Sequence, residues 1–271
     1  MPTLRLDDIQ LHYQVHGKDA ADTGHPALLL LPDLGADGRC WAPVVRTLAE
    51  RRRVVCIDLR GAGRTLPPDA PNSIGHMAED ALALAAHLEL AHFDLLGHGL
   101  GGFVALECAL RRPKRIARLI LANTGVRLSA RNARLFSDWS TALAGAAEAV
   151  DARWWRDLLY WRFTPGWFED DETVDRRVHQ AVTDIQPATA AGFQGQVAAM
   201  HGFDRRAALG RVRSTTLVLA GERDMLFPPG GDGAGLAGIA RARVVVIPGQ
   251  GHAIHAEAPE LFLEPVLDYL R

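Results

Sequence analysis

Short apolar runs at residues 27–31, 53–58, 92–96, 116–122, 215–220 and 243–247 are rich in Val, Ile and Leu and lack strict polar–apolar alternation. A strand with one wet face alternates, whereas one that is apolar throughout is buried on both faces, as in a parallel sheet covered by helices. Helix-length segments at residues 41–49, 74–90, 101–111 and 236–241 lie between several of the runs, and residues 259–270 close the chain. This alternation of strand and helix predicts an α/β fold built on an open, mostly parallel sheet with helices on both faces. Residues 3–15 alternate around Asp7-Asp8 and predict a short hairpin at one sheet edge.

Composition narrows the function classes. A chain of 271 residues, 48% of them hydrophobic, has enough apolar material for a sizeable core. Lys and Arg number 30 against 32 Asp and Glu, without a long run of one sign, so no phosphate-tracking surface is expected and nucleic acid is not an expected partner. Cys40, Cys56 and Cys108 lie far apart and form neither a CxxC pair nor a disulfide framework. The start of the chain lacks the basic and apolar regions of a secretory signal, and no segment approaches the apolar length of a membrane span. The expectation is a cytoplasmic protein without a membrane partner.

The strand–helix rhythm breaks after Ala122 and resumes near Thr215. The interval contains Trp139, Trp154, Trp155, Trp161 and Trp167 at helical spacings, with Pro165-Gly166 as a breaker. We read residues 126–190 as a helical cap (lid) inserted into a core formed by residues 1–125 and 191–271. Substrate loops gather outside the carboxyl ends of parallel strands, so the pocket is expected between sheet and cap, with a roof drawn from these tryptophans, while most of the aromatics of the interval are read as cap core. An aromatic roof implies a small-molecule substrate with a hydrophobic or aromatic body.

The sharpest local signal is Leu95-Leu96-Gly97-His98-Gly99-Leu100-Gly101-Gly102, between an apolar strand and an Ala-rich helix. Its glycines permit an abrupt turn and close helix–strand approach. Its position deep in the chain does not suit a dinucleotide fingerprint, which follows the first strand. The segment resembles the G-x-S-x-G nucleophile elbow of the alpha/beta-hydrolases, with Gly99 at the serine position. Asp58-Leu59-Arg60-Gly61-Ala62-Gly63-Arg64 resembles the D-x-R-G-x-G loop of those proteins. Gly221-Glu222-Arg223-Asp224 resembles the loop bearing the triad acid, and Gly249-Gln250-Gly251-His252 the loop bearing the triad histidine. Residues 193–209 resemble the stretch that returns from the cap in lactonase-like members. The four motifs occur in family order over nearly the whole chain, which is similar to the small esterase and enol-lactonase branch of that superfamily. The resemblance implies an eight-stranded sheet and a triad pair of Asp224 and His252.

Two departures fall on the acyl-transfer machinery. Gly99 has no atom to carry an acyl group. The loop after the first long strand reads Leu31-Pro32-Asp33-Leu34-Gly35, placing Asp33 where relatives usually have His-Gly. Backbone donors near Leu34 and Leu100 still suit an oxyanion, but a carboxylate at Asp33 would oppose one if it pointed inward. Asp33 has three open readings: a proton donor if its pKa is raised, an orienter of water if ionised, or a turn and capping residue. His98 is expected to pack behind the site, and Asn123 to reach substrate from a strand end. Cys40 is a weak nucleophile candidate near Asp33.

The preferred reading is a hydrolase-like enzyme for a small ester, lactone or related carbonyl substrate, with His252 and Asp224 as a general-base pair and no serine. The alternative is a cofactor-free lyase, isomerase, cyclase or oxygenase using His252 as acid–base. Two further readings are a non-catalytic binding pseudoenzyme and a serine hydrolase whose nucleophile has been replaced by Gly99. No organic cofactor is implied, and the sequence contains no recognisable metal-ligand motif.

Overall fold

The computed structural model describes residues 2–18, 24–145, 152–182, 189–231 and 233–271. Eight strands form one sheet: β1 (Thr3–Arg5), β2 (Gln10–His16), β3 (Leu28–Leu31), β4 (Val54–Ile57), β5 (Phe93–His98), β6 (Ile116–Ala122), β7 (Thr215–Gly221) and β8 (Ala242–Ile247). Their spatial order is β1-β2-β4-β3-β5-β6-β7-β8. The β1–β2 and β2–β4 pairs are antiparallel and every other pair is parallel.

The central strands are apolar on both faces because each face meets a helical layer. Leu29, Leu31, Val55, Leu95, Leu119 and Leu121 enter one core. Their neighbours Leu28, Leu30, Val54, Leu96 and Ile120 enter the other. The second core also receives Val44 and Leu48 from α1 (Ala42–Leu48). α2 (Ile74–His87) and α3 (Leu100–Arg111) cover the first. The segment expected as a helix at residues 236–241 is instead a 3-10 turn, Ala234–Gly238, because Gly233, Gly235 and Gly238 disfavour a longer helix.

The described residues between β6 and β7 carry α4 (Ala130–Ala144), α5 (Ala152–Arg162), α6 (Asp171–Val182) and α7 (Ala190–Met200). The chain then closes through a short α8 (Ile254–Glu257) and α9 (Pro259–Tyr269), whose Phe262 and Val266 complete the second core. Ser129 and Thr189 cap α4 and α7 by accepting backbone N–H bonds. Residues 146–151 and 183–188 of the sequence-based cap lie outside the described residues. Trp154 Nε1 donates to the Trp139 carbonyl at 2.9 Å, and the Trp154 ring packs edge-on against Phe193 of α7. Gln196 of α7 fastens two sheet loops, donating to the Arg60 carbonyl and accepting from the Gly35 amide, each at 2.8 Å. No described helix is long and apolar enough to cross a membrane.

Candidate active site

The parallel strands β3, β5, β6 and β7 end on the same side of the sheet, and Asp33, Gly99, Asn123 and Asp224 follow within a few residues of those ends. β5 finishes at His98 and α3 begins at Leu100, leaving one residue to make the turn. That residue, Gly99, has φ 53° and ψ −116°, a conformation that costs glycine little and other residues more.

What occupies the space beside Gly99 is the carboxylate of Asp33. A Cβ built on Gly99 would overlap Asp33 Oδ1 and its carboxyl carbon. Oδ1 accepts a hydrogen bond from the Leu100 amide at 2.9 Å, and Oδ2 lies 3.1 Å from His252 Nε2. The two sequence departures are therefore one arrangement: Asp33, arriving from β3, fills the place a side chain at 99 would need. Its oxygen also takes the amide that would otherwise face an oxyanion. The Asp33 carboxylate points inward, and its bond from the Leu100 amide at the start of α3 is the capping contact among its open readings.

His252 is fully buried between two carboxylates. Nδ1 meets Asp224 Oδ2 at 3.0 Å on the side opposite Asp33. Asp224 is held in turn by the Leu226 and Phe227 amides on Oδ1, at 2.8 and 3.0 Å, and by Asn123 Nδ2 on Oδ2 at 3.0 Å. The His252 and Ala253 amides both donate to the Arg162 carbonyl, at 3.0 and 2.9 Å. The Arg162 guanidinium reaches across to the Leu34 carbonyl at 2.5 Å and lies 3.4 Å from Asp33 Oδ2. One residue of α5 thus ties the histidine loop to the aspartate loop.

The electrostatics follow from this packing. Burial works against an imidazolium at His252, but Asp224 and Asp33 outweigh it and raise its pKa to about 9. Burial also works against charge on Asp33, yet His252 and Arg162 hold it well below the usual carboxylate range. Asp224 is likewise lowered, with burial opposed by His252 and by its hydrogen bonds. At neutral pH the site is an imidazolium between two carboxylates. The second carboxylate, Asp33, favours keeping a proton on the His252 ring. His98, buried beside His252, is pushed down to about 4 by burial and by that positive neighbour, so it is neutral.

A cavity of about 580 Å³ opens beside the site, lined by Asp33, Cys40, His98, Arg162, Phe163 and His255 among others. Of the five tryptophans expected as its roof, Trp155 lines it and Trp139, Trp154, Trp161 and Trp167 do not. Trp139 and Trp154 are buried in the core, Trp161 lies beneath the Arg131 guanidinium, and Trp167 stacks on Phe163. Gly99, Leu100, Asp224 and His252 are also absent from the cavity lining. The expectation that Asn123 reaches substrate is corrected too: it is buried and supports Asp224 and the Gly251 carbonyl. At Leu34 the carbonyl is engaged by Arg162. Burial raises the Cys40 thiol well above its ordinary pKa, which disfavours its thiolate. Arg162 and His255 carry no motif: an arginine closing an aromatic helix and a histidine three residues after His252 become visible only when the loops are folded together.

A profile of the alpha/beta hydrolase fold matches residues 26–259. The chain belongs to this family. Among its alpha/beta hydrolase relatives is a Rhizobium rhizogenes protein carrying the name of a putative carbamate hydrolase, RutD, 34% identical over 96% of this chain and 98% of that protein. Another is 3-oxoadipate enol-lactonase 2 of Acinetobacter baylyi, 30% identical over 82% of this chain and 79% of the relative. The enol-lactonase structure from Burkholderia xenovorans superposes with a TM-score of 0.87 at 25% identity, covering 99% of both chains. This alpha/beta hydrolase therefore has the ordinary fold of its relatives around an elbow that ends in glycine.

Proposed function

We propose that the protein hydrolyses a small ester, lactone or related carbonyl substrate without a serine, using Asp33 as the nucleophile. The observation that carries this reading is the Asp33 carboxylate, seated beside Gly99 on the Leu100 amide and against His252 Nε2. Relatives named for action on a carbamate or an enol-lactone support the hydrolase class. The cavity wall of Trp155, Leu159, Phe163 and Val178 suits a substrate with an apolar body, and we take the helices of residues 126–190 to act as a cap over it.

In the first step an Asp33 oxygen attacks the substrate carbonyl carbon, the bond to the leaving oxygen breaks, and that oxygen takes the proton from His252 Nε2. The Arg162 guanidinium is the cation beside the forming oxyanion. Asp33 is then a neutral mixed anhydride, and His252 loses one of the two charges that held its proton. The imidazole becomes a base and removes a proton from water; the hydroxide attacks the Asp33 carbonyl carbon, the bond from that carbon to the bridging oxygen breaks, and the product leaves as the free acid with the remaining carboxyl proton, which restores carboxylate and imidazolium. Leu100 N–H, already on Oδ1, is the donor for that second oxyanion. The fit between Gly99 and Asp33 speaks against a serine hydrolase altered only at position 99, because a serine there would collide with Asp33 as placed.

Turnover in ¹⁸O-water decides the mechanism. Multiple turnovers of an ester and lactone panel are expected to place ¹⁸O in the Asp33 carboxylate, read as a mass shift of its peptide. Hydrolysis without label in Asp33 means that water attacks substrate directly, with His252 as the general base. A panel left intact removes the hydrolase reading. A proton-transfer reaction is the second reading, favoured because Asp33 Oδ1 already holds the Leu100 amide; solvent-deuterium exchange into recovered substrate identifies it.

A further inference from the structure

One nitrogen of His98, one nitrogen of His252 and one carboxylate oxygen of Asp33 lie within 4.8 Å of one another, and all three residues are buried. The 3.1 Å between Asp33 Oδ2 and His252 Nε2 is close to the span between adjacent ligands on a tetrahedral ion with bonds of about 2.0–2.1 Å. His98 Nε2 contacts the His252 carbonyl at 2.9 Å, and a carbonyl only accepts, so Nε2 carries the proton. The lone pair of His98 is thus on Nδ1, which is buried and has no hydrogen-bond partner among the described residues. A buried imidazole nitrogen without a partner is unusual enough to need a reason.

The surroundings complete the pattern. Asp224 grips His252 Nδ1, the contact by which a carboxylate commonly orients a metal-bound imidazole. Asp33 and His98 both line the 580 Å³ cavity, so a further coordination position faces solvent or a ligand. The proton on His252 Nε2 must leave before an ion binds there, and the Arg162 guanidinium lies 3.4 Å from Asp33 Oδ2. The Arg162 side chain lines the cavity and is partly exposed.

We propose that Asp33, His98 and His252 form a binding site for a divalent transition-metal ion, with zinc the best match to two imidazoles and one carboxylate and a fourth position open to the cavity. This goes beyond the hydrolase reading and does not depend on it. A bound ion ties up Asp33 Oδ2 and His252 Nε2 together, so metal and the acid–nucleophile pair exclude each other.

The test is titration of chelator-treated protein with Co²⁺, followed by its visible absorption. One equivalent is expected to give the intense bands of a four- or five-coordinate ion, abolished by adding Zn²⁺. His98→Gln and Asp33→Asn should each weaken binding at least tenfold, His76→Ala on α2, which is neither a proposed ligand nor in the cavity lining, should not, and Arg162→Gln should strengthen it. Zinc should raise the Tm of the unmodified protein and leave that of Asp33→Asn unchanged. Weak octahedral bands, absence of saturation at one equivalent, or binding that survives both ligand substitutions would overturn the proposal. The unmodified protein's spectrum is decisive even where a variant fails to fold, and none of these outcomes depends on whether ¹⁸O enters Asp33.

Discussion

Two aspartates flank His252 at nearly equal distance, 3.0 Å for Asp224 and 3.1 Å for Asp33, yet they are held in different ways. Asp224 is dry and fixed by two backbone amides and Asn123. Asp33 has one backbone amide and an arginine, and its remaining side faces the cavity. A carboxylate with filled lone pairs orients its partner, and one that faces open space can react. The contrast assigns orientation to Asp224 and chemistry to Asp33, and each experiment below is a way to break or sharpen it.

The largest effect is expected from exchanging the two carboxylates for amides. Asp33→Asn should lower kcat by about 10⁶-fold, the scale of losing a nucleophile, and Asp224→Asn by about 10⁴-fold, the scale of a misdirected imidazole. Equal losses at both positions, measured on the best substrate of the panel, would erase the division of labour.

Next comes Gly99→Ser. The new side chain must displace Asp33, and overpacking of a buried site costs about 1–3 kcal/mol. Gly99→Ser in an Asp33→Gly background removes the collision, so the two substitutions should be non-additive by about 1–3 kcal/mol in denaturant unfolding. Additive losses would mean that Asp33 does not hold the place of a side chain at 99.

The third effect is on pH dependence. The His252 pKa is raised to about 9, so its contribution to stability is present in full below its unfolded-state value and is lost as pH rises through about 9. Asp33 and Asp224 are lowered, so their contributions are present above the ordinary carboxylate range and vanish as pH falls through their folded values. Unfolding free energy should therefore decline on the alkaline side, and less so in Asp33→Asn, where His252 keeps a single carboxylate. The first chemical step needs the imidazolium, so kcat/KM should fall above about pH 9. A rise toward that pH would instead mark His252 as the initiating base.

Much of this is legible in the residues. The apolar runs mark the parallel sheet because burial on both faces leaves a composition signature, and the edge hairpin containing residues 10–16 declares itself by alternation. Gly99, Asp33, Asp224 and His252 are each marked by local pattern. Their assembly is not, since the overlap of Asp33 Oδ1 with a side chain at 99 is set by the register of Leu31 against Gly97. The tryptophans mislead because helical spacing shows that a face is buried and not what it is buried against: Trp139 and Trp154 bury their rings in the core rather than over the cavity. Arg162 escapes notice because its role rests on a backbone carbonyl as much as on its charge, and carbonyls have no sequence signature.

The smallest effect tests how firmly each carboxylate is supported. Asn123 has φ 46°, a left-handed backbone that asparagine tolerates, and its Nδ2 serves both Asp224 and the Gly251 carbonyl. Asn123→Gly keeps the backbone relaxed while removing both hydrogen bonds, which should cost about 1–2 kcal/mol of stability. Asp224 retains its two amides, so the His252 titration seen by NMR should hardly move. Arg162→Gln removes the guanidinium beside Asp33, and there the His252 midpoint should rise as the carboxylate's attraction is no longer shared. A larger shift from Asn123→Gly than from Arg162→Gln would mean that Asp224 is the loosely held partner, and the roles drawn for the two aspartates would have to be exchanged.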